Sequence, residues 1–347
     1  MKGAAILAFF AAAAAAAVQP EDWGDFDAEW ASNPEFASSK ALCRALRDRE
    51  PPAADRPTRA QAAQLRDCNS EDLYYGIGTP ADPERARLCA FAEAEDAGQS
   101  SYALSGRAML MTIYANGRGA RRDLDVAIHL ACGLEGAPAE SHGRVTHLAE
   151  LRDQGWTGSD FHYCDDITSG LSGGHCAAHR AAVAGARRDA ELARISSRWA
   201  LDARRSFAAL REAFDRYAEA HAGGEVDLSG TLRVALQIGA EERLRDEFLE
   251  MIRLLEAGDP PLFSAQQFRM ADAVLNAAYR EALRANRGDR PEAVRPDGIR
   301  NAQRAWLGYR DAFLAFAAIR YRNVERHSLA AWLTRLRNEQ LRSLRED

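Results

Sequence analysis

Five side chains of metal-binding type fall within one short stretch: His162, Cys164, His175, Cys176 and His179. Thiolates and imidazoles at close spacing can hold zinc, but this spacing matches neither a zinc ribbon nor a zinc finger. The rival chemistry is a disulfide. Asp165 and Asp166 are the next candidates. Acid–base catalysis by two carboxylates needs them to flank a bond, and adjacent residues do not face each other across a substrate. They read as a solvated loop or a helix cap. The chain has no Gly-x-Ser-x-Gly elbow, no His-Glu-x-x-His, no phosphate loop and no dinucleotide fingerprint. Neither a catalytic constellation nor a cofactor site is expected.

The six cysteines allow fifteen pairings. Cys68 and Cys89 lie nearly symmetrically about a glycine turn spanning 76–82, so an antiparallel helix hairpin brings them together. Cys164 and Cys176 flank a flexible Gly/Ser stretch and are expected to pair. Elimination leaves Cys43 with Cys132. An even count favours disulfides over metal, and so does the N-terminus. Met1-Lys2 is a short basic start, residues 4–17 are apolar and alanine-rich, and Ala15-Ala16-Ala17 suits cleavage. Residues 1–17 read as a secretory signal, too short to span a bilayer comfortably. The expected location is the periplasm or the exterior, where disulfides persist, with no membrane insertion after cleavage. The formal charge of −6 argues against nucleic acid and anionic membranes as partners and is compatible with a basic protein.

No strand signal is visible, so the expected class is all-α: a helical-hairpin repeat region followed by two helical-bundle modules. Residues 18–57 form an arm and a helix. The arm mixes acidic residues with Trp23, Phe26 and Trp30, and packing those rings onto the body is favoured over leaving them exposed. Helices are expected over 40–49 and from Thr58 toward Asp67, with Pro51-Pro52 between them. Gly76-Ile-Gly78 with Asp82 and Ala86 repeats as Gly117-Arg-Gly119 with Asp123 and Ala127, an offset of 41. The unit is a helix, a glycine turn and an aspartate cap opening a second helix. It resembles the Sel-1-like repeat, which implies stacked helix pairs over 58–151 serving as an interaction scaffold. A connector follows, then a loop over 164–174 and helices over 180–199, 203–221, 228–255, 264–286 and 328–344. A Gly223-Gly224 break is expected after the second of these.

A second self-similarity runs at an offset of 92. Ala213-Phe214-Asp215-Arg216-Tyr217 aligns with Ala305-Trp306-Leu307-Gly308-Tyr309, and Arg243-Leu244-Arg245 aligns with Arg335-Leu336-Arg337. Two matches at one offset divide the C-terminal half into two copies, 164–258 and 262–347. Trp306, Tyr309 and Phe313 recur at helical spacing on one face. Phe214 and Tyr217 preserve the aromatics while Ala218-Glu219 replaces Arg310-Asp311. That is the behaviour of core positions, with Arg310 and Asp311 in a surface ion pair. Asn276, Tyr279, Gln303, Trp306, Tyr309, Arg310, Asp311, Thr334 and Arg337 together resemble the motif of the LprI-type lysozyme-inhibitor domain. Leu314 stands where that family usually carries a cysteine. The resemblance covers the last copy well and the first weakly, at Cys164-Asp-Asp-Ile-Thr168 and Cys176. It implies a secreted, helical, non-enzymatic protein whose partner is another protein, with a basic lysozyme-type enzyme as the candidate. An inhibitory loop is expected at 165–174 or 287–298. The alternative is an envelope scaffold binding another secreted protein through its helical repeats.

Overall fold

The computed structural model describes residues 22–27, 32–95, 104–288 and 293–344. The segment 1–17 expected to be a signal, Trp30 and part of the 287–298 loop lie outside the described residues. Thirteen α-helices and no strand occur among them. The chain divides into two compact units, 1–70 with 83–163, and 71–82 with 164–347.

In the first unit, α1 (Ala37–Ala45) and α2 (Arg59–Ala62) precede α4 (Pro83–Glu95), α5 (Gly106–Asn116), α6 (Leu124–Cys132) and α7 (Pro138–Asp153). From α4 onward each helix packs on the next. α5 is buried at every residue but Arg107, as a helix covered on nearly all sides must be. It ends at Gly117, which is left-handed at φ +64°, and Asp123 caps α6 by accepting from the amide of Val126 at 3.0 Å. A side chain at Gly119 would strike the backbone of Pro83, so only glycine lets the turn approach α4. Trp23 is buried and donates to Ser39 Oγ at 2.9 Å, so this part of the arm folds back. Glu93 accepts from the amides of Ser70 at 2.9 Å and Gly106 at 2.7 Å.

The cysteines pair as Cys43–Cys132, Cys68–Cys89 and Cys164–Cys176. The first two bridges lie in the first unit and the third in the second. Cys164 and Cys176 are therefore held in a disulfide and do not act as thiolate ligands to a metal. His179 pairs instead with Glu71 at 2.6 Å.

The second unit contains α3 (Ser70–Tyr75, all but its first residue), α8 (Gly170–Ser196), α9 (Leu201–Gly224), α10 (Arg233–Ala257), α11 (Ala265–Ala285), α12 (Pro296–Arg320) and α13 (Arg326–Ser343). The last six repeat one packing order. α8 pairs with α10, α11 pairs with α13, and the two middle helices, α9 and α12, form the most extensive contact of all. A continuous core runs through both halves, from Leu192 to Leu344. Tyr217 and Tyr309, equivalent positions at the offset of 92, stack on each other with centroids 5.6 Å apart. α9 and α12 run antiparallel: the end of α9 meets the start of α12 at Gly224 and Gly298. A Cβ on Gly224 would lie 2.8 Å from Gly298 Cα.

Several expected boundaries move. The stretch 170–174 is the opening of α8, not loop, because Ser169 caps the helix by accepting from the amide of Ser172. Its glycines allow close approach: a Cβ on Gly174 would sit 3.1 Å from Val234 Cβ. Gly223 and Gly224 form the last turn of α9 rather than a break. α10 starts at Arg233, not near 228. The helix expected from Thr58 to Asp67 is one turn, closed by a Thr58–Gln61 capping box.

Candidate protein-binding surface

The motif residues separate into three settings. Gln303, Trp306, Tyr309, Thr334 and Arg337 are buried. Tyr279 and Arg310 are half-buried, while Asn276 and Asp311 are exposed and so are not core positions. Asn276 bonds back to Asp272, and Arg310 reaches Asp311 at 2.9 Å while lying over the Trp306 ring at 5.3 Å.

The buried set is built around Arg337, which has no exposed surface. Its Nη2 and Nη1 donate to Glu225 Oε1 and Oε2 at 2.6 and 2.7 Å, and its Nε donates to Gln303 Oε1 at 2.9 Å. The Tyr217 hydroxyl donates to Gln340 Oε1 at 2.5 Å, and His221 Nδ1 lies 2.8 Å from Glu225 Oε2. Burial opposes both charges of the pair. The mutual attraction outweighs it, so the Glu225 carboxyl is held below its usual range and the Arg337 guanidinium above its own. Burial also pushes the Tyr217 hydroxyl up. Arg337 belongs to α13 and Glu225 caps α9, so the pair joins the two halves of the unit. Sequence reasoning marked Arg337 but missed Glu225. A single Glu before a loop carries no signal, and at the offset of 92 its counterpart is Ala317. With no open surface, this node does structural work.

The open surface lies at the end of the bundle where α8 leads into α9, α10 into α11 and α12 into α13. An open groove of about 810 Å³ there is lined by Trp199, Leu255, Leu262, Tyr321 and Val324, among others, with Arg198, Arg320 and Arg322. Glu256 organises its base. Its carboxylate accepts from Trp199 Nε1 at 3.1 Å and from the Tyr321 hydroxyl at 2.9 Å, and pairs with Arg320 at 2.8 Å. Burial first, then the Glu256 bond, raises the Tyr321 hydroxyl. The Arg320 guanidinium lies over both rings, 5.5 Å from the Trp199 centroid and 5.1 Å from that of Tyr321. Phe263 donates its amide to Ser328 Oγ at 2.8 Å, which fixes the α10–α11 connector on α13. Leu262, beside it, is 81% exposed. The Val324 amide donates to the Tyr321 carbonyl at 2.9 Å, closing a turn with Arg322 and Asn323 at its apex.

These features define a disulfide-bonded protein, all-helical among the described residues, with a buried Arg337–Glu225 pair and an open groove at one end of its second unit. The family model described as lysozyme inhibitor LprI matches residues 263–342, the segment that forms α11, α12 and α13. This segment is similar to that family, and at the family level the match supports a protein-binding role of the lysozyme-inhibitor kind. Comparison with curated proteins and with solved structures returned no match. Among the described residues no helix is long and apolar enough to cross a membrane.

Proposed function

We propose that this protein is secreted and binds a lysozyme-type muramidase, inhibiting it without chemistry of its own. The match of residues 263–342 to the LprI inhibitor family carries the reading. Three disulfides support an oxidising compartment, in keeping with removal of residues 1–17 as a signal. In this reading 164–258 is a divergent second copy of the LprI module. Its helices take the same packing order, and its aromatic positions Phe214 and Tyr217 meet Tyr309 across the internal pseudo-symmetry.

The test is lysis of a cell-wall suspension by several lysozyme types with increasing amounts of the mature protein. Dose-dependent inhibition is expected. No inhibition by a large molar excess against every type would sink the reading. The runner-up is an envelope scaffold, favoured by the glycine turns 41 residues apart, whose Gly76, Gly78, Gly117 and Gly119 all take positive φ. It predicts a stable complex with another secreted protein that survives substitution throughout the LprI-type domain.

A further inference from the structure

We infer that Arg322 is the side chain that enters the muramidase cleft and pairs with its catalytic carboxylates; this rests on the inhibitor reading above. Enzymes that cleave glycosidic bonds of this kind place two carboxyl groups on either side of the scissile linkage. An inhibitor that occupies such a cleft is best served by an exposed cation on a rigid turn, and a guanidinium matches a carboxylate bidentately.

The arginines of the LprI-type domain can be sorted by this requirement. Arg300 pairs with Asp297, Arg310 with Asp311, Arg320 with Glu256 and Arg337 with Glu225. Arg269, Arg280 and Arg284 are exposed along α11, and Arg304, Arg326, Arg335 and Arg342 along α12 and α13, all flat supports, while Arg287 and Arg295 border the stretch 289–292, which lies outside the described residues. Arg322 is exposed at the apex of a closed turn and has no acidic partner among the described residues. The turn is rigid on both sides, because Tyr321 is buried and anchored to Glu256 and Val324 closes the backbone bond. Little conformational freedom remains to be lost on binding. Beside the apex, the groove and exposed Leu262 supply a concave, partly apolar seat for one lip of the enzyme cleft.

Charge balance sharpens the argument. Residues 263–342 hold fifteen arginines against eight acidic residues. A net positive domain is not drawn to a basic enzyme as a whole. The catalytic carboxylates of such an enzyme are a local acidic feature that this cation complements.

The experiment compares the full mature chain with Arg322→Glu, Arg322→Gln and the control Arg284→Glu, each checked for an unchanged melting temperature. Inhibition and affinity are measured against a lysozyme and against its variant with the acid carboxylate replaced by the amide. The expected result is at least about a tenfold loss for Arg322→Glu and less than about twofold for the control. The gap between wild type and Arg322→Gln should shrink against the amide enzyme. If wild type inhibits and Arg322→Glu inhibits equally, the inference is overturned and the inhibitor reading stands. If wild type does not inhibit at all, both fall.

Discussion

At the scale of single residues, the most consequential group is the Arg337–Glu225 pair, a bidentate ion pair with no solvent exposure on either side. Removing one partner strands a buried charge, so Arg337→Ala should cost roughly 3–5 kcal/mol. Replacing both by apolar residues of similar volume should be close to neutral. Urea unfolding of Arg337→Ala and of the double variant Arg337→Met with Glu225→Leu checks both statements. Equal losses in the two would refute the buried-charge account. The pair also sets a pH dependence. Glu225 is depressed in the folded state, so its contribution is present above its unfolded value, about 4.3, and is lost as pH falls through the folded value. Stability of the second unit should therefore decline below about pH 4. In an otherwise apolar variant of the pair that part of the acid sensitivity should disappear.

At the scale of elements, the contact between α9 and α12 holds the second unit together, and its tightest point is backbone on backbone. Gly224 and Gly298 leave no room for a methyl group: a Cβ on Gly224 would lie 2.9 Å from the Gly298 carbonyl oxygen. Gly224→Ala should force the helices apart and cost about 1–3 kcal/mol, the range for overpacking a tight site. Gly223→Ala, whose Cβ meets nothing within 4 Å, is the matched control and should be neutral or slightly stabilising. Thermal unfolding distinguishes the two. Sequence inspection alone assigns both glycines to a break between helices. The local propensity of glycine is poor in a helix, and only the neighbouring backbone explains why it is retained there.

At the scale of the molecule, the family-matched segment is not a self-contained body. The middle helix of 263–342, α12, makes its main contact with α9, which lies outside the match. The core joins Phe207, Phe214 and Phe248 of the first half to Tyr309, Phe313 and Phe316 of the second. Residues 262–347 produced alone should therefore fail to form a stable monomer and should aggregate or self-associate. Gel filtration and circular dichroism would show it, and a folded monomer would refute the shared core. In the first unit, the Cys43–Cys132 bridge closes a loop with a sequence separation of 89. Replacing both cysteines by serine should cost about 2–5 kcal/mol in that unit.

The sequence by itself determined the helical class, because apolar residues recur at helical spacing and no alternating pattern competes. It also favoured the three cysteine pairs that form: Cys68 and Cys89 lie nearly symmetrically about a turn, Cys164 and Cys176 flank a short Gly/Ser stretch, and elimination supplies the last. The aromatic core positions Trp306 and Tyr309 were legible because the echo at Phe214 and Tyr217 preserves ring character while the charges beside it change. What stayed hidden depends on residues far apart in the chain. Glu225 meets Arg337 across 112 positions, and Glu256 of α10 gathers Trp199 from the α8–α9 connection and Arg320 and Tyr321 from the end of α12. The exposed apex at Arg322 beside Leu262 exists only once three connections converge. Helical spacing is set by local backbone geometry, whereas a buried ion pair or a groove is set by which elements the fold brings together.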